Sequence, residues 1–317
     1  MFLIQAKNTI RSYESEIKKW QQYCEQRGFV DCPATSQNLC EFIAHMAMSG
    51  APLTFFLKLS PAITFLHNAN RINEPLAINE PFVKLVLDGA KREAAENKPR
   101  VKKSSSISQS EMHQLIDKIL WRNGVGVLGP DPNLMEWRTV VRLYTYFKCF
   151  CRFDCYQQLM TENFSFNEDH VCIEFRRAKN DQFYGASYSL LSALPESPYC
   201  PKLIFESYFS VMKFALNSAD FLNCRILTTK SQCRAKPREK LCYSNSCRDT
   251  KSVLLSIGIR GNFTEKSFKV GGVSLAIDNN VPLIDVQSHG RWKSLETPLI
   301  YTEKSKRRRL EVSKVVV

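Results

Sequence analysis

Residues 288–294 read SHGRWKS, and Tyr301 follows nine residues after Trp292. This stretch constrains the fold and function of the chain more than any other. Arginine and the indole N–H are hydrogen-bond donors to phosphate oxygens, and a tyrosine hydroxyl can serve as a nucleophile. The motif therefore favours chemistry on a phosphodiester. A turn with one buried tryptophan and an ordinary surface tyrosine is the alternative that these residues alone leave open.

The charge of the chain indicates a polyanionic partner. Among 317 residues, 44 Lys and Arg stand against 31 Asp and Glu, which gives a net charge of +13. Clustered basic side chains release counterions from a phosphate backbone, so we expect nucleic acid to be bound. Solvated surface charge explains any single cluster, but not five along one chain. The clusters lie at 98–103, 176–179, 230–240, 266–269 and 304–309.

Composition excludes several other classes of protein. A hydrophobic fraction of 44% and an aromatic fraction of 11% are typical of a folded globular chain. No run of eighteen apolar residues occurs, so we expect no membrane span, and the apolar start is too short for a secretory signal. We therefore expect an intracellular protein. Its 12 cysteines contain no C-x-x-C pair, and we interpret them as reduced thiols rather than as a metal site.

Hydrophobic periodicity predicts a small helical bundle in the first part of the chain. Apolar residues recur at helical spacing over 10–24, 39–46, 53–68 and 82–90, with a break or kink expected at Pro61. We assign residues 1–92 to this bundle. Residues 93–107 are polar, basic and rich in serine, which predicts a linker.

The remainder, 108–317, is predicted to be a second domain that is mainly α with a small β-hairpin, an α+β fold. Helices are expected from Ser110, over 134–151, 202–216, 244–257 and 266–278, and around Tyr301. Alternation over 171–176 and a return over 184–191, joined by a turn at Asn180, predict the hairpin. Residues 222–241 are interpreted as irregular and basic.

In this order, the elements and motifs resemble the tyrosine recombinases, the phage-integrase family. The most specific part is KSFKVGGVS at 266–274, then NNVP at 279–282, HGRW at 289–292 and Tyr301. The resemblance is closest to the recombinases of DIRS-type retroelements and related animal sequences, where the block usually reads H-S-[LF]-R-x-G-G-A-T, G-V-P, H-G-R-W and Y. It implies a helical, SAM-like core-binding domain over 1–92 and a catalytic domain over 108–317.

The resemblance also implies roles for individual residues. Tyr301 matches the nucleophile, which forms a 3′-phosphotyrosyl link and needs neither a metal nor a small-molecule cofactor. Arg152 matches the first catalytic arginine, Lys179 the hairpin lysine that protonates the leaving 5′ oxygen, and Trp292 a residue whose ring N–H contacts a phosphate oxygen. Supporting or DNA-binding roles are expected for His289, Arg291, Lys102, Lys103 and Arg177.

Three positions depart from the family pattern. Lys266 and Lys269 stand where His-x-x-Arg is usual, and Cys155 replaces a glutamate. A lysine is a point charge on a flexible stem, whereas an arginine binds two phosphate oxygens with a planar fork. The spacing of three predicts that both ammonium groups share one helix face and lower each other's pKa.

Two functions therefore remain open at the level of sequence. The first is a tyrosine recombinase or integrase that breaks and rejoins double-stranded DNA through Tyr301, with slow turnover because of its lysines. The second is a catalytically inactive, domesticated DNA-binding protein of the same fold. For both we expect a nuclear location and self-association on DNA. The basic run at 304–309 fits a nuclear address, a DNA contact or a solvated tail.

Overall fold

The computed structural model describes residues 7–71, 75–97, 104–176, 187–229, 233–302, 310 and 314. The chain divides into two compact units, Met1–Val101 and Lys102–Val317. Most described elements are helices, and two small antiparallel sheets lie in the second unit. The predicted α+β class, mainly helical with little sheet, is confirmed.

The first unit is a bundle of four helices. Trp20, Phe42 and Phe56 lie fully buried at its centre, as the helical spacing of its apolar residues predicts. The Thr35 side chain caps the second helix by accepting the backbone N–H of Asn38. The third helix continues through Pro61, so the predicted break there is absent. The helices are α1 Lys7–Arg27, α2 Ser36–Met48, α3 Leu53–Ala69 and α4 Pro81–Glu96.

The stretch predicted as a linker, 93–107, has ordered contacts at both of its ends. Helix α4 continues to Glu96. Farther along, the Ser105 N–H donates to Asn262 O at 2.9 Å, and the Ile107 side chain is buried in the core of the second unit. Residues at both ends of this stretch therefore take part in the last helix of the first unit and in the core of the second. Lys102 and Lys103 lie outside the described residues.

The second unit is built around one buried helix. This helix, α6, packs against α8, α9 and α10, so most of its residues are buried, polar ones included. Gly272 allows α10 to approach it closely, because a Cβ there would stand 1.9 Å from Phe147 O. The helices are α5 Gln109–Leu115, α6 Leu134–Cys149, α7 Phe153–Tyr156, α8 Pro201–Met212, α9 Tyr243–Ser256, α10 Glu265–Asp278, α11 Leu283–His289 and α12 Glu296–Thr302.

The first sheet contains the predicted hairpin. Its strands are β1 Phe164–Phe166, β2 His170–Phe175 and β3 Ser187–Ser192, in that order and antiparallel. Alternate residues of β2 are buried, as the period-two pattern predicts. The hairpin between β2 and β3 is therefore confirmed, and β1 is an additional strand. The predicted turn, with Arg177 and Lys179, lies outside the described residues.

The second sheet corrects the interpretation of 222–241 as irregular, which was wrong. Here β4, Cys224–Thr228, pairs antiparallel with β5, Cys233–Lys240. The sequence pattern did not predict these strands because β5 is mostly charged, places few apolar side chains against the core and contains Pro237.

None of the helices in the described part of the chain is long and apolar enough to cross a membrane.

Two buried arginines of α6 join it to the neighbouring helices. Arg138 forms an ion pair with Asp249 of α9 at 2.5 Å. Arg142 donates to Thr250 Oγ1 at 2.8 Å and pairs with Glu265, the first residue of α10, at 3.3 Å. These contacts fix the start of α10. The sequence did not indicate them, because both arginines fall within an apolar helical pattern.

Candidate active site

Tyr301 and Trp292 form a stacked aromatic pair. Tyr301 lies on α12 with only 6% of its surface exposed. Its ring is 5.8 Å from the Trp292 ring and inclined by 7°. Burial raises the pKa of Tyr301, while the charge of Arg152 acts to lower it. The phenol is therefore protonated at neutral pH, and a nearby cation favours its ionised form.

Lys269 covers the same tryptophan. Its Nζ lies 4.8 Å from the centroid of the Trp292 ring, within the range of a cation–π contact. The residue is only 3% exposed and forms no ion pair with any residue that the structure describes. Burial lowers the pKa of Lys269 to about 8, and repulsion from Arg152 adds to that effect. A buried ammonium of this kind is costly without an anionic partner.

Arg152 lies between α6 and α7, at the first position before α7. The sequence predicted it at the end of the preceding helix, but α6 ends three residues earlier, at Cys149. Its side chain is exposed. Its positive charge acts to lower the pKa values of both Lys269 and Tyr301. Arg152 therefore offers a solvent-facing cation beside a buried one.

Phe150 directly follows α6 as its C-cap and was not among the residues predicted from the sequence. It has φ of +51°, in the left-handed region that a bulky side chain rarely adopts. Its ring contacts His289 at 4.8 Å and Trp292 at 6.2 Å. Strained backbone of this kind clusters at functional sites. No periodicity or composition signal predicts a positive φ at a phenylalanine.

His289 and Arg291 bind backbone carbonyl groups at the end of α6. His289 Nε2 donates to Lys148 O at 2.6 Å, and Arg291 Nη2 donates to Cys149 O at 3.0 Å. Arg291 Nη1 also donates to Ser189 Oγ. These bonds satisfy carbonyls that a helix leaves unpaired at its C-terminus. Arg291 therefore stabilises the α6 terminus, and the DNA contact expected from the sequence stays a prediction.

The two lysines of α10 differ in their surroundings. Lys266 is exposed, whereas Lys269 is buried. The low pKa of Lys269 comes from burial first and then from Arg152, and not from Lys266 as the spacing suggested. Cys155, which replaces the expected glutamate, is half-buried near Lys269 and acts to raise the pKa of the Lys269 ammonium. Among the described residues, no group of three or more His, Cys, Asp or Glu could hold a metal ion.

Comparisons with known proteins bear on this arrangement. No family model and no curated protein matches the chain. Solved structures do. The XerH site-specific recombinase in a post-cleavage complex with palindromic difH substrate has a TM-score of 0.62 at 15% identity, covering 96% of this chain and 79% of its own. The Tn1549 transposon integrase, in complex with circular intermediate DNA, has a TM-score of 0.52 at 10% identity, covering 95% and 98%.

A lambda integrase dimer bound to a COC′ core site has a TM-score of 0.51 at 12% identity, covering 95% of this chain and 90% of its own. This chain has the tyrosine-recombinase fold. The likeness extends over nearly the whole length of the chain, so it includes both compact units.

Within the tyrosine-recombinase fold, four of the predicted site residues come together: Arg152, Lys269, Trp292 and Tyr301. They come from three separate segments, the gap after α6, helix α10, and the stretch that contains α11 and α12. The result is a buried phenol beside two cations of different exposure. Such a group can accept a phosphodiester, because cations near a phosphate favour charge on its oxygens. Lys179 lies outside the described residues.

Proposed function

We propose that this chain is a DNA-binding tyrosine recombinase that breaks and rejoins double-stranded DNA through a 3′-phosphotyrosyl link at Tyr301. The observation that carries the proposal is the stack of Lys269, Trp292 and Tyr301 beside Arg152. A buried lysine without a carboxylate partner among the described residues is suited to an anion brought by the substrate.

The proposed step balances without a cofactor. The Tyr301 oxygen forms a bond to phosphorus, and the bond from phosphorus to the 5′ oxygen breaks. The tyrosine proton passes to solvent water, and the 5′ oxygen gains a proton, for which Lys179 is the proposed donor. Arg152 and Lys269 would stabilise the charge on the equatorial oxygens more strongly in the transition state than in the bound substrate. The reverse step, with a new 5′ hydroxyl, rejoins the strand.

Two further observations favour DNA as the partner. The net charge of +13 suits a polyanion, and the similar recombinases and integrases above are described as bound to DNA. The lambda integrase is described as a dimer on its site, so we propose self-association on DNA. The order of the motifs supports an origin in a DIRS-type mobile element, and the basic run at 304–309 a nuclear location.

The second candidate is a DNA-binding protein that has lost the chemistry. It is favoured by Lys266, Lys269 and Cys155, which replace groups that the family usually has. This protein would bind duplex DNA with a steep dependence on salt but form no covalent intermediate. Substituting Lys266→His together with Lys269→Arg would then create cleavage that the wild-type protein lacks.

A nicked suicide substrate tests the first candidate. We expect wild-type protein to form a covalent adduct with a library of recombination-site duplexes, and Tyr301→Phe to abolish it. Tyr188→Phe, on the exposed surface of β3, is the matched control and should retain the adduct. An adduct that survives in Tyr301→Phe would overturn the assignment of the nucleophile. No adduct in the wild-type protein, followed by one in the Lys266→His, Lys269→Arg variant, would establish the second candidate.

A further inference from the structure

The antiparallel pair β4–β5, here called the basic ribbon, carries a row of cations on one face. Arg225 lies opposite Lys236, and Leu227 lies opposite Arg234. Cross-strand partners point to the same side of a sheet, as do residues two apart on one strand. Arg225, Arg234 and Lys236 therefore share a face, and none of the three is buried.

The opposite face of the basic ribbon anchors it. Ile226 and Ala235, which are paired with each other, pack against the main core of the second unit. One face of the ribbon is therefore fixed by burial of apolar surface. The three cations lie on paired strands that are anchored to the core, so the backbone positions of these residues are fixed before any ligand binds.

The basic ribbon retains its positive charge because few acids offset it. Arg225 and Lys236 are like charges directly opposite each other, an arrangement that destabilises a strand pair. Glu239 approaches Arg225 at 3.4 Å and Lys236 at 4.0 Å. Because both pairs are solvent-exposed, they stabilise the strand pair only weakly. Arg234 forms no ion pair with any residue in the described part of the chain. A phosphate backbone would relieve this repulsion.

The end of the basic ribbon is tied to the segment that begins with Arg152. Gln157, just after α7, donates through Nε2 to Leu241 O at 2.9 Å. The Phe153 ring lies 5.0 Å from the ring of Tyr243, at the start of α9. Arg152 immediately precedes Phe153. The residues that follow the ribbon thus contact the segment that begins with the exposed cation of the candidate active site.

We propose that the exposed face of the basic ribbon, Arg225, Arg234 and Lys236, binds phosphates of the DNA duplex that flank the phosphate at Tyr301. That the partner is DNA rests on the proposed function, whereas the location of the binding surface is inferred from the charges of the ribbon. Arg234 and Lys236 are two residues apart on β5, about 6.8 Å, and Arg225 extends from the facing strand, so the three side chains together reach two or three phosphates. The ribbon adds affinity and register without reading base sequence.

The salt dependence of DNA binding tests this proposal. The triple variant Arg225→Gln, Arg234→Gln, Lys236→Gln would be titrated with a duplex of random sequence at several salt concentrations. Each lost phosphate contact lowers the slope of log K against log salt by about 0.9. We expect the slope to become shallower by roughly 2 to 3. Over a fourfold range of salt, the affinity of the wild-type protein should then fall about 40-fold more than that of the variant.

Two further variants separate the ribbon from general charge effects. Arg122→Gln, Lys202→Gln, Lys213→Gln removes three positive charges from the same unit, outside both the ribbon and the candidate active site, and should change the slope by less than about 0.9. Arg225→Lys, Arg234→Lys, Lys236→Arg keeps the charge and should keep the wild-type slope. Circular dichroism melting curves confirm that each variant is folded.

The outcomes distinguish the ribbon from the proposed function. If the wild-type slope is steep and the ribbon variant matches it, the ribbon proposal is overturned while DNA binding stands. Equal changes in the ribbon variant and the three-charge control would also overturn it, because the effect would then come from net charge. A wild-type protein with no measurable affinity for duplex DNA would overturn the proposed function itself.

Discussion

Two buried cations pack at helix α10, and they have opposite surroundings. Arg142 of α6 is fully buried and has a carboxylate partner, Glu265, at 3.3 Å, with Thr250 Oγ1 at 2.8 Å. Lys269 lies one turn after Glu265 and is only 3% exposed, yet it has no carboxylate partner among the described residues. It rests on the ring of Trp292 instead.

Their pKa values move in opposite directions. Burial acts to lower the pKa of Arg142, but Glu265 raises it above its ordinary value. Burial lowers the pKa of Lys269 to about 8, and no carboxylate among the described residues pairs with it to oppose that shift. The charge of Arg142 is therefore neutralised within the fold. The charge of Lys269 has no carboxylate partner among the described residues, and on this difference we base the proposal that Arg142 is a structural cation and Lys269 a functional one.

The largest expected effect is on stability and comes from the paired cation. Arg142→Met leaves Glu265 buried without its partner and should lower the free energy of unfolding by about 3–5 kcal/mol. The same change at the other cation, Lys269→Met, removes an unpaired buried charge and should leave stability unchanged or raise it. Urea unfolding of the two variants, followed by circular dichroism, makes the comparison. Similar losses in both would show that the two cations do not differ in this way.

The next effect is on rate and comes from the unpaired cation. Lys269→Met should slow formation of the covalent DNA adduct by on the order of 10² to 10³, the usual cost of losing one positioned donor. Lys266→Met, three residues away but exposed, is the matched control and should slow it less than about fivefold. Single-turnover assays on the nicked substrate measure both rates. Equal losses at the two positions would mean that burial does not distinguish them.

Much of the fold follows from local pattern. Helical periodicity placed the helices of the first unit and most of those in the second, and alternation placed the hairpin of β2 and β3. These signals are local, because each element buries one face. The motifs around Trp292 and Tyr301 also predicted residues that meet in the structure. The basic ribbon was not predicted, because its exposed face is charged and only a few apolar side chains of its other face pack against the core.

The features that the sequence did not predict are the burial of particular side chains and the contacts between segments that are distant along the chain. Lys266 and Lys269 have the spacing of helix neighbours, but only packing against α6 and Trp292 decides which one is buried. The sequence also gave no sign of the hydrogen bond from Arg291 to Cys149 O, 142 residues away. The positive φ of Phe150, the residue that caps the C-terminus of α6, has no signal in the sequence either. Spacing along the chain contains none of this information.

The most direct test is the pKa of Lys269 itself, measured by NMR on protein with labelled lysine side chains. The Lys269→Met variant assigns the signal by its loss. In free protein we expect a pKa of about 8, as burial requires. A bound duplex should raise the pKa of Lys269, because an opposite charge close to a buried ammonium favours its protonated form. A pKa that stays at about 8 when DNA is bound would contradict the claim that Lys269 receives a DNA phosphate.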